Sequence, residues 1–205
     1  ILHNPVTVQI GQTAPASTVA HAIYPVKPHL KMALLKKLLD KTSTESVLVF
    51  TRTKHRAERV AQQLKREGVR VASLQGNMSQ YQRQAALDDF RAGSLKVLVA
   101  TDIVARGIDI LSISHVINYD MPDTTDAYIH RIGRTGRVGK TGEAFTLVTS
   151  EDAAMVRDLE SILHAPLERR TLEDFDYQAP APPETRLVRP PPRSRSPQQS
   201  RRPVR

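Results

Sequence analysis

Cysteine is absent from the 205 residues, which excludes disulfides and any thiolate metal site. A cytoplasmic setting is the expectation that fits this absence. Tryptophan is absent too, and aromatic residues make up only 4% of the chain, so aliphatic side chains must fill any core. No apolar run approaches the about 20 residues that a membrane-spanning helix needs. The runs present are short, as in Val47-Leu48-Val49-Phe50, and a membrane is not among the expected partners. The first residue is Ile, with no charged-then-apolar signal pattern behind it, so the sequence reads as a piece of a longer chain. The 40% hydrophobic content suits one domain with a sizeable core plus a tail.

Net charge is +9 and the isoelectric point lies near 10.1. A basic balance of this kind points to a polyanion partner. The charge is unevenly spread. From Gln178 onward there are seven Arg and one Glu, a surplus of +6 that leaves +3 for the rest. A nucleic-acid site on the body must therefore be a local patch.

Pro5, Gly11 and Pro15 punctuate residues 1–19, which read as a connector. From Ala20 a regular alternation begins. Short apolar runs at 20–26, 47–51, 71–74, 97–100, 115–119 and 144–149 predict buried strands. Helical stripes lie between them: Leu30, Leu34, Leu35, Leu38 and Leu39, then Ala57, Val60, Ala61 and Leu64, with Gly68 as a stop signal. Ser79 and Gln82 form a capping-box pattern ahead of Ala86, Leu87 and Phe90. A last stripe comprises Val156, Leu159, Ile162 and Leu163. Strands alternating with helices predict an α/β fold, an open and mostly parallel sheet with helices on both faces, spanning residues 20–177. Ligands in such sheets bind outside the carboxyl ends of the strands. Residues 178–205 hold few large aliphatics among Pro, Arg, Ser and Gln and read as a disordered basic tail. Attachment to RNA and a merely solubilising role are both open for it.

The most informative stretch is His130-Arg131-Ile132-Gly133-Arg134-Thr135-Gly136-Arg137-Val138-Gly139-Lys140. Glycine recurs at 133, 136, 139 and 142, and each costs about 1 kcal/mol in a helix, so the backbone should leave the helix here. Arginines three apart then converge on one place. Their permanent charge and forked donors suit a phosphate in a charge-developing transition state. Gly139-Lys140-Thr141 imitates the end of a phosphate-binding loop, but the pattern needs Gly where Arg134 stands, and a strand follows. No other segment of these residues supplies such a loop. The second stretch, residues 97–109, begins as a strand and should end in a loop at the ligand edge. There Thr101 offers a hydroxyl and an N–H to a phosphate, Gly107 permits close approach, and Asp109 is an acceptor suited to a ribose hydroxyl. Asp102 has a simpler reading, as a brace for that loop.

Taken together, residues 47–54, Gln80-Tyr81-Gln82-Arg83, 100–109 and 130–137 resemble, in order and spacing, the second-domain motifs of DEAD-box RNA helicases. The resemblance covers roughly residues 20 to 165, and the string from His130 to Arg137 is its most specific part. The leading His resembles the DEAD-box group, where related helicase groups usually have Gln. Within the group the chain resembles the bacterial RhlE-like branch.

The resemblance implies a RecA-like C-terminal domain. It implies that Arg134 and Arg137 reach the γ-phosphate of ATP, that Gly107 and Asp109 meet the phosphates and ribose, and that His130 contacts the N-terminal RecA-like domain. Thr53, Arg83 and Thr101 would touch the RNA sugar-phosphate backbone, with Gln80 supporting Arg83. Mg²⁺ would accompany ATP, held mainly by the other domain. No metal site is expected on these residues themselves, and the chain alone is expected not to hydrolyse ATP. Two positions depart from the family pattern: Gln75 stands where His is frequent, and Val138 where some members carry an aromatic near the adenine. Taken singly, Arg83 reads as a solvated helix residue and Thr53 as a plain helix cap. The rival functions are a stand-alone RNA-binding module and half of a DNA helicase.

Overall fold

The computed structural model describes residues 19–42, 46–105, 113–136 and 141–181. Seven strands form one sheet: β1 (Val19–Pro25), β2 (Val47–Phe50), β3 (Val71–Leu74), β4 (Val97–Ala100), β5 (His115–Asn118), β6 (Gly142–Val148) and β7 (Glu168–Arg169). They lie in the order β3-β4-β2-β5-β6-β1-β7, and every pairing is parallel. Six helices intervene: α1 (Lys31–Lys41), α2 (Lys54–Arg66), α3 (Gln80–Arg91), α4 (Asp102–Ala105), α5 (Thr125–Ile132) and α6 (Ala153–Leu163). The expected parallel α/β sheet is therefore present, with six of its strands and four of its helices where the apolar periodicity places them.

Both faces of the sheet are covered because the central strands are apolar on both sides. In β2, Val47 and Val49 point to one layer, and Leu48 and Phe50 to the other, at the period of two that a strand imposes. The first layer takes the stripes of α1 and α2, namely Leu34, Leu35, Leu38, Ala57, Val60 and Leu64. The opposite layer takes α3, α4, α5 and α6 through Leu87, Val104, Tyr128, Ile132 and Leu159.

Local signals act as anticipated. Ser79 accepts from the Gln82 N–H at 3.2 Å while the Gln82 side chain accepts from the Ser79 N–H at 3.1 Å, a complete capping box. Gly68 takes φ +81° after α2, a conformation that a Cβ disfavours. Two elements were not anticipated. The segment after β4, expected as loop from its start, first makes the single turn α4. The two-residue strand β7 is too short to carry a periodic signature.

After β7 the chain returns across the α1 side. Leu172, Phe175, Tyr177 and Ala179 pack on the first layer. Asp174 meets Lys37 at 2.8 Å and Lys41 at 2.7 Å, contacts that hold its carboxyl well below the usual range. Further on, His29 lies 2.9 Å from the Ala179 carbonyl and Lys27 donates to Gln178. The connector expected at 1–19 lies outside the described residues up to position 18, and so does the tail from position 182 onward.

Because four partly buried apolar side chains carry this return segment, and its exposed ion pairs contribute little, ending the chain after Arg170 should cost about 3 kcal/mol, roughly a 10 °C drop in melting temperature. Ending it after Ala181 should leave the melting temperature unchanged. Equal melting of both shortened chains would show that the segment does not stabilise the domain.

Candidate functional site

Parallel pairing brings the carboxyl ends of β3, β4, β2 and β5 side by side, and the order of connection reverses around β2, which pairs with both β4 and β5. That is where the crevice of a doubly wound sheet opens. Thr51, Thr53, Thr101, Asp102 and Asp120 all lie just beyond these strand ends.

Arg131 organises the edge. It lies on α5 with only 3% of its surface exposed. Its Nε and Nη2 donate to the two oxygens of Asp102, each at 2.7 Å. Its Nη1 donates to the Asp120 carbonyl at 2.8 Å and the Asn118 amide oxygen at 3.3 Å. The guanidinium sits 5.0 Å from the centre of the Phe50 ring. One side chain thus joins α5, the start of α4 and the ends of β2 and β5. The brace anticipated for Asp102 is this bidentate pair, in which a planar fork matches a carboxylate. Sequence reading grouped Arg131 with the other arginines of the loop; burial turns it inward instead. Asn118 passes the network to Thr146, Nδ2 to Oγ1 at 3.0 Å. Beside it, burial pushes the Tyr128 hydroxyl up to about 12, and that hydroxyl lies 3.1 Å from His21 Nδ1.

The helix ends at Gly133, as its glycine spacing anticipates. Thr135, 2% exposed, then sets its hydroxyl 2.6 Å from the Ile113 carbonyl and 2.8 Å from that of Ser114, anchoring the loop to the start of β5. A Cβ at position 142 would collide with Thr135 Oγ1 and the Gly136 backbone, which explains glycine there. Against the face of α4 and α5 lies a cavity of about 240 Å³, lined by Phe50, Asp102, Ala105, His130, Arg131 and Arg134. His130 is exposed and Arg134 half-buried. Arg131 pairs with Asp102, and Arg134 lines the same cavity. The other residues expected to meet nucleotide, Gly107, Asp109 and Arg137, lie outside the described residues.

The residues expected to meet RNA gather on neighbouring strand ends. Thr53 caps α2, its hydroxyl oxygen accepting from the Arg56 N–H at 3.2 Å, so its plainer reading as a helix cap is correct as far as it goes. Thr101 is half-buried and its carbonyl accepts from the Ala105 N–H at 2.9 Å. Gln80 opens α3 and is exposed. Arg83 is not simply solvated: Nη2 donates to the Val104 carbonyl at 2.9 Å, tying α3 to the end of α4.

Across β2, Asp120 is 3% exposed and accepts from the Arg52 N–H at 2.9 Å and from Arg56 Nη1 at 2.7 Å. Lys31, also buried, donates to the Tyr119 carbonyl at 3.0 Å, and burial lowers its pKa despite the nearby Asp120. Nothing in the sequence pattern marked Lys31 or Asp120, since each is an isolated charge beside an apolar run. Among the described residues no group of three or more His, Asp or Glu side chains could hold a metal ion.

A parallel sheet in this order, with an arginine-bearing loop and a row of threonines at its carboxyl edge, defines a RecA-like helicase domain. A family model described as the helicase conserved C-terminal domain matches residues 30–139. The chain is 42% identical over 163 residues to the DEAD-box ATP-dependent RNA helicase 21 of Oryza sativa subsp. japonica, covering 79% of this chain and 22% of that protein. Its fold matches E. coli DEAD-box protein SrmB bound to regulator of ribonuclease activity A, with TM-score 0.73 and 36% identity over 80% of this chain and 98% of that one. It also matches S. cerevisiae Dbp5 bound to RNA and ADP BeF3, with TM-score 0.70 and 32% identity over 76% of this chain and 42% of that one. The chain belongs to the helicase conserved C-terminal domain family, as a domain of the DEAD-box type. It spans about a fifth to a third of the length of the curated relatives it matches.

The network makes a stability prediction. Arg131→Ala strands the Asp102 carboxylate and the Asp120 carbonyl, and should cost about 3 kcal/mol. Arg131→Lys should recover little, because an ammonium cannot make the fork. Urea denaturation of both variants measures this. A loss below about 1 kcal/mol for Arg131→Ala would show that water reaching the Asp102 carboxylate, 39% exposed, replaces the lost partner.

Proposed function

We propose that this domain is the second half of an ATP-dependent RNA helicase and supplies the arginines and RNA contacts that complete the site of an N-terminal RecA-like domain. One observation carries the reading. The Arg134 cavity and the edge bearing Thr53, Gln80, Arg83 and Thr101 both adjoin α4, whose first residue is fixed by Arg131 and whose end is held by Arg83. A change at one is therefore mechanically felt at the other. The likeness to the RNA- and nucleotide-bound yeast protein supports the choice of ligands, and the resemblance to the RhlE-like branch goes with the same reading.

In this scheme the cavity receives the triphosphate when the two domains close. Arg134 and Arg137 place charge where the γ-phosphate becomes more negative, which lowers the barrier without covalent chemistry. Gly107 and Asp109 hold the phosphates and ribose, and His130, exposed beside the cavity, meets the other domain. Mg²⁺ would neutralise phosphate charge. It would be held mainly by the other domain, since the described residues offer no acidic cluster that fits it. On the adjoining edge, hydroxyls, N–H groups and Arg83 hold RNA by its sugar-phosphate backbone, which gives little sequence preference. Closure then bends the bound strand, so that a duplex opens locally. The residues in hand contain no phosphate-binding loop, and on this reading they do not turn over ATP alone.

In the complete two-domain protein, Arg134→Ala and Arg137→Ala should each lower ATP turnover by about 10³ or more while leaving nucleotide-free RNA affinity nearly unchanged. Arg83→Gln should weaken RNA binding first. Steady-state ATPase assays and RNA titrations decide, with melting temperatures to separate any loosening of α3 from α4. Full turnover in Arg137→Ala would return the glycine- and arginine-rich loop to a structural turn.

A further inference from the structure

The two helical layers carry different charge. Helices α1 and α2 hold nine Lys and Arg against two carboxylates, Asp40 and Glu58. Helices α3 to α6, on the other face, hold four Arg against six carboxylates. Much of the α1 charge is already engaged: Lys36 meets Asp40, and Lys37 and Lys41 meet Asp174. On α2, by contrast, Lys54, Arg59, Lys65 and Arg66 have no carboxylate partner among the described residues.

The arginines of α2 are also ordered. Arg56, Arg59, Gln63 and Arg66 follow Arg52 at steps of four, three, four and three, so they form one stripe along the helix. Ala57, Val60, Ala61 and Leu64 bury the adjoining face, which fixes the stripe toward the groove between α2 and α1. The carboxyl-edge end of that groove is a cavity of about 330 Å³, lined by Arg52, Arg56, Arg59 and Gln63 on one side and by Lys31 on the other. It is a built surface. Asp120, almost wholly buried, binds one edge of the Arg56 guanidinium from below, and half of the Arg56 side chain remains exposed. Of the two acids at the rim, Asp152 accepts from the N–H and hydroxyl of Thr149 at 2.8 and 2.9 Å, and Glu151 is exposed to solvent.

We propose that this stripe is a second RNA track, which holds the sugar-phosphate backbone of the strand flanking the segment bound across the ends of β3, β4 and β2. The inference rests on the RNA reading above and extends it. Arg52, Arg56 and Arg59 follow one another at the helical neighbour spacing of about 5–6 Å, and Arg66 lies two turns beyond Arg59; a row of forked cations of this kind suits a chain of successive phosphates better than a single anion. The row also begins one residue before Thr53, so the two RNA surfaces are continuous at the start of α2. Such a track adds affinity that is independent of sequence and steeply dependent on salt. It acts only on RNA long enough to leave the first surface.

The test uses the whole chain and labelled oligouridines of about 6 and about 20 nucleotides, a range that separates one short site from an extended one. The variant is Arg59→Gln with Arg66→Gln. Both residues are exposed and without carboxylate partners among the described residues, so the melting temperature should not move. For the long RNA, the slope of log affinity against log salt should fall by about 1.4, or about 0.7 per arginine, with binding of the short RNA unchanged. An unchanged slope for the long RNA, with Arg83→Gln still weakening the short one, would overturn the second track and leave the helicase reading standing. No binding of either RNA by the unaltered chain would remove both. Polyglutamate binding that disappears in the double variant, with the RNA slope unchanged, would overturn the proposal in favour of an acidic protein partner.

Discussion

The buried guanidinium of Arg131 is the contact on which the carboxyl edge depends. A charge removed from water must be compensated almost completely, and Arg131 meets this demand with a carboxylate, a carbonyl, an amide oxygen and the face of Phe50. The partners belong to three strand ends, those of β4, β2 and β5, or to the chain just beyond them. The demand of one side chain for satisfaction thus sets the position of α5 relative to β2, β4 and β5. The consequences run outward from there. Asp102 is held, so α4 starts in a defined place; α4 ends under Arg83, so α3 is placed as well. Arg134, one turn beyond Arg131, is carried to the rim of the cavity.

Asp120 performs the corresponding task on the other face. Its carboxylate holds Arg56 and the Arg52 backbone, while its own carbonyl is held by Arg131. One residue therefore couples the Arg134 cavity side of the sheet to the basic groove beside α2. The two helical layers have divided the work: one is nearly neutral and encloses the cavity, and the other gathers the cationic surplus. A single parallel sheet permits this division because its strand ends are shared by both layers.

Much of the fold could be read from apolar spacing. The strands β1 to β6 lie within two residues of their expected limits, since runs such as Val97-Leu98-Val99-Ala100 are apolar on both faces and can only be buried. Helices α1, α2, α3 and α6 follow from apolar stripes, with a stop signal at Gly68 for α2 and a capping box for α3. The misses have physical causes. A four-residue helix such as α4 completes one turn and shows no periodicity. The strand β7 buries neither of its side chains. The return segment packs through Leu172, Phe175 and Tyr177, spaced too irregularly to announce an element.

For the site, the sequence alone determined the chemical types and their order: an arginine-bearing glycine-rich loop, threonines after strands, and a capped helix bearing Arg83. It did so because spacing along the chain limits which residues can share a turn. It did not determine the roles of residues distant in sequence. Arg131 and Arg134 sit in the same motif with the same side chain, yet one is buried against Phe50 and the other is only half-buried at the cavity. Asp102 and Asp120 both follow strands, yet one braces a helix start and the other sets arginines in a groove. Those distinctions were decided by the tertiary structure alone, because burial and pairing depend on which strand ends become neighbours. That order, β3-β4-β2-β5, is a property of the sheet and not of any local stretch of chain.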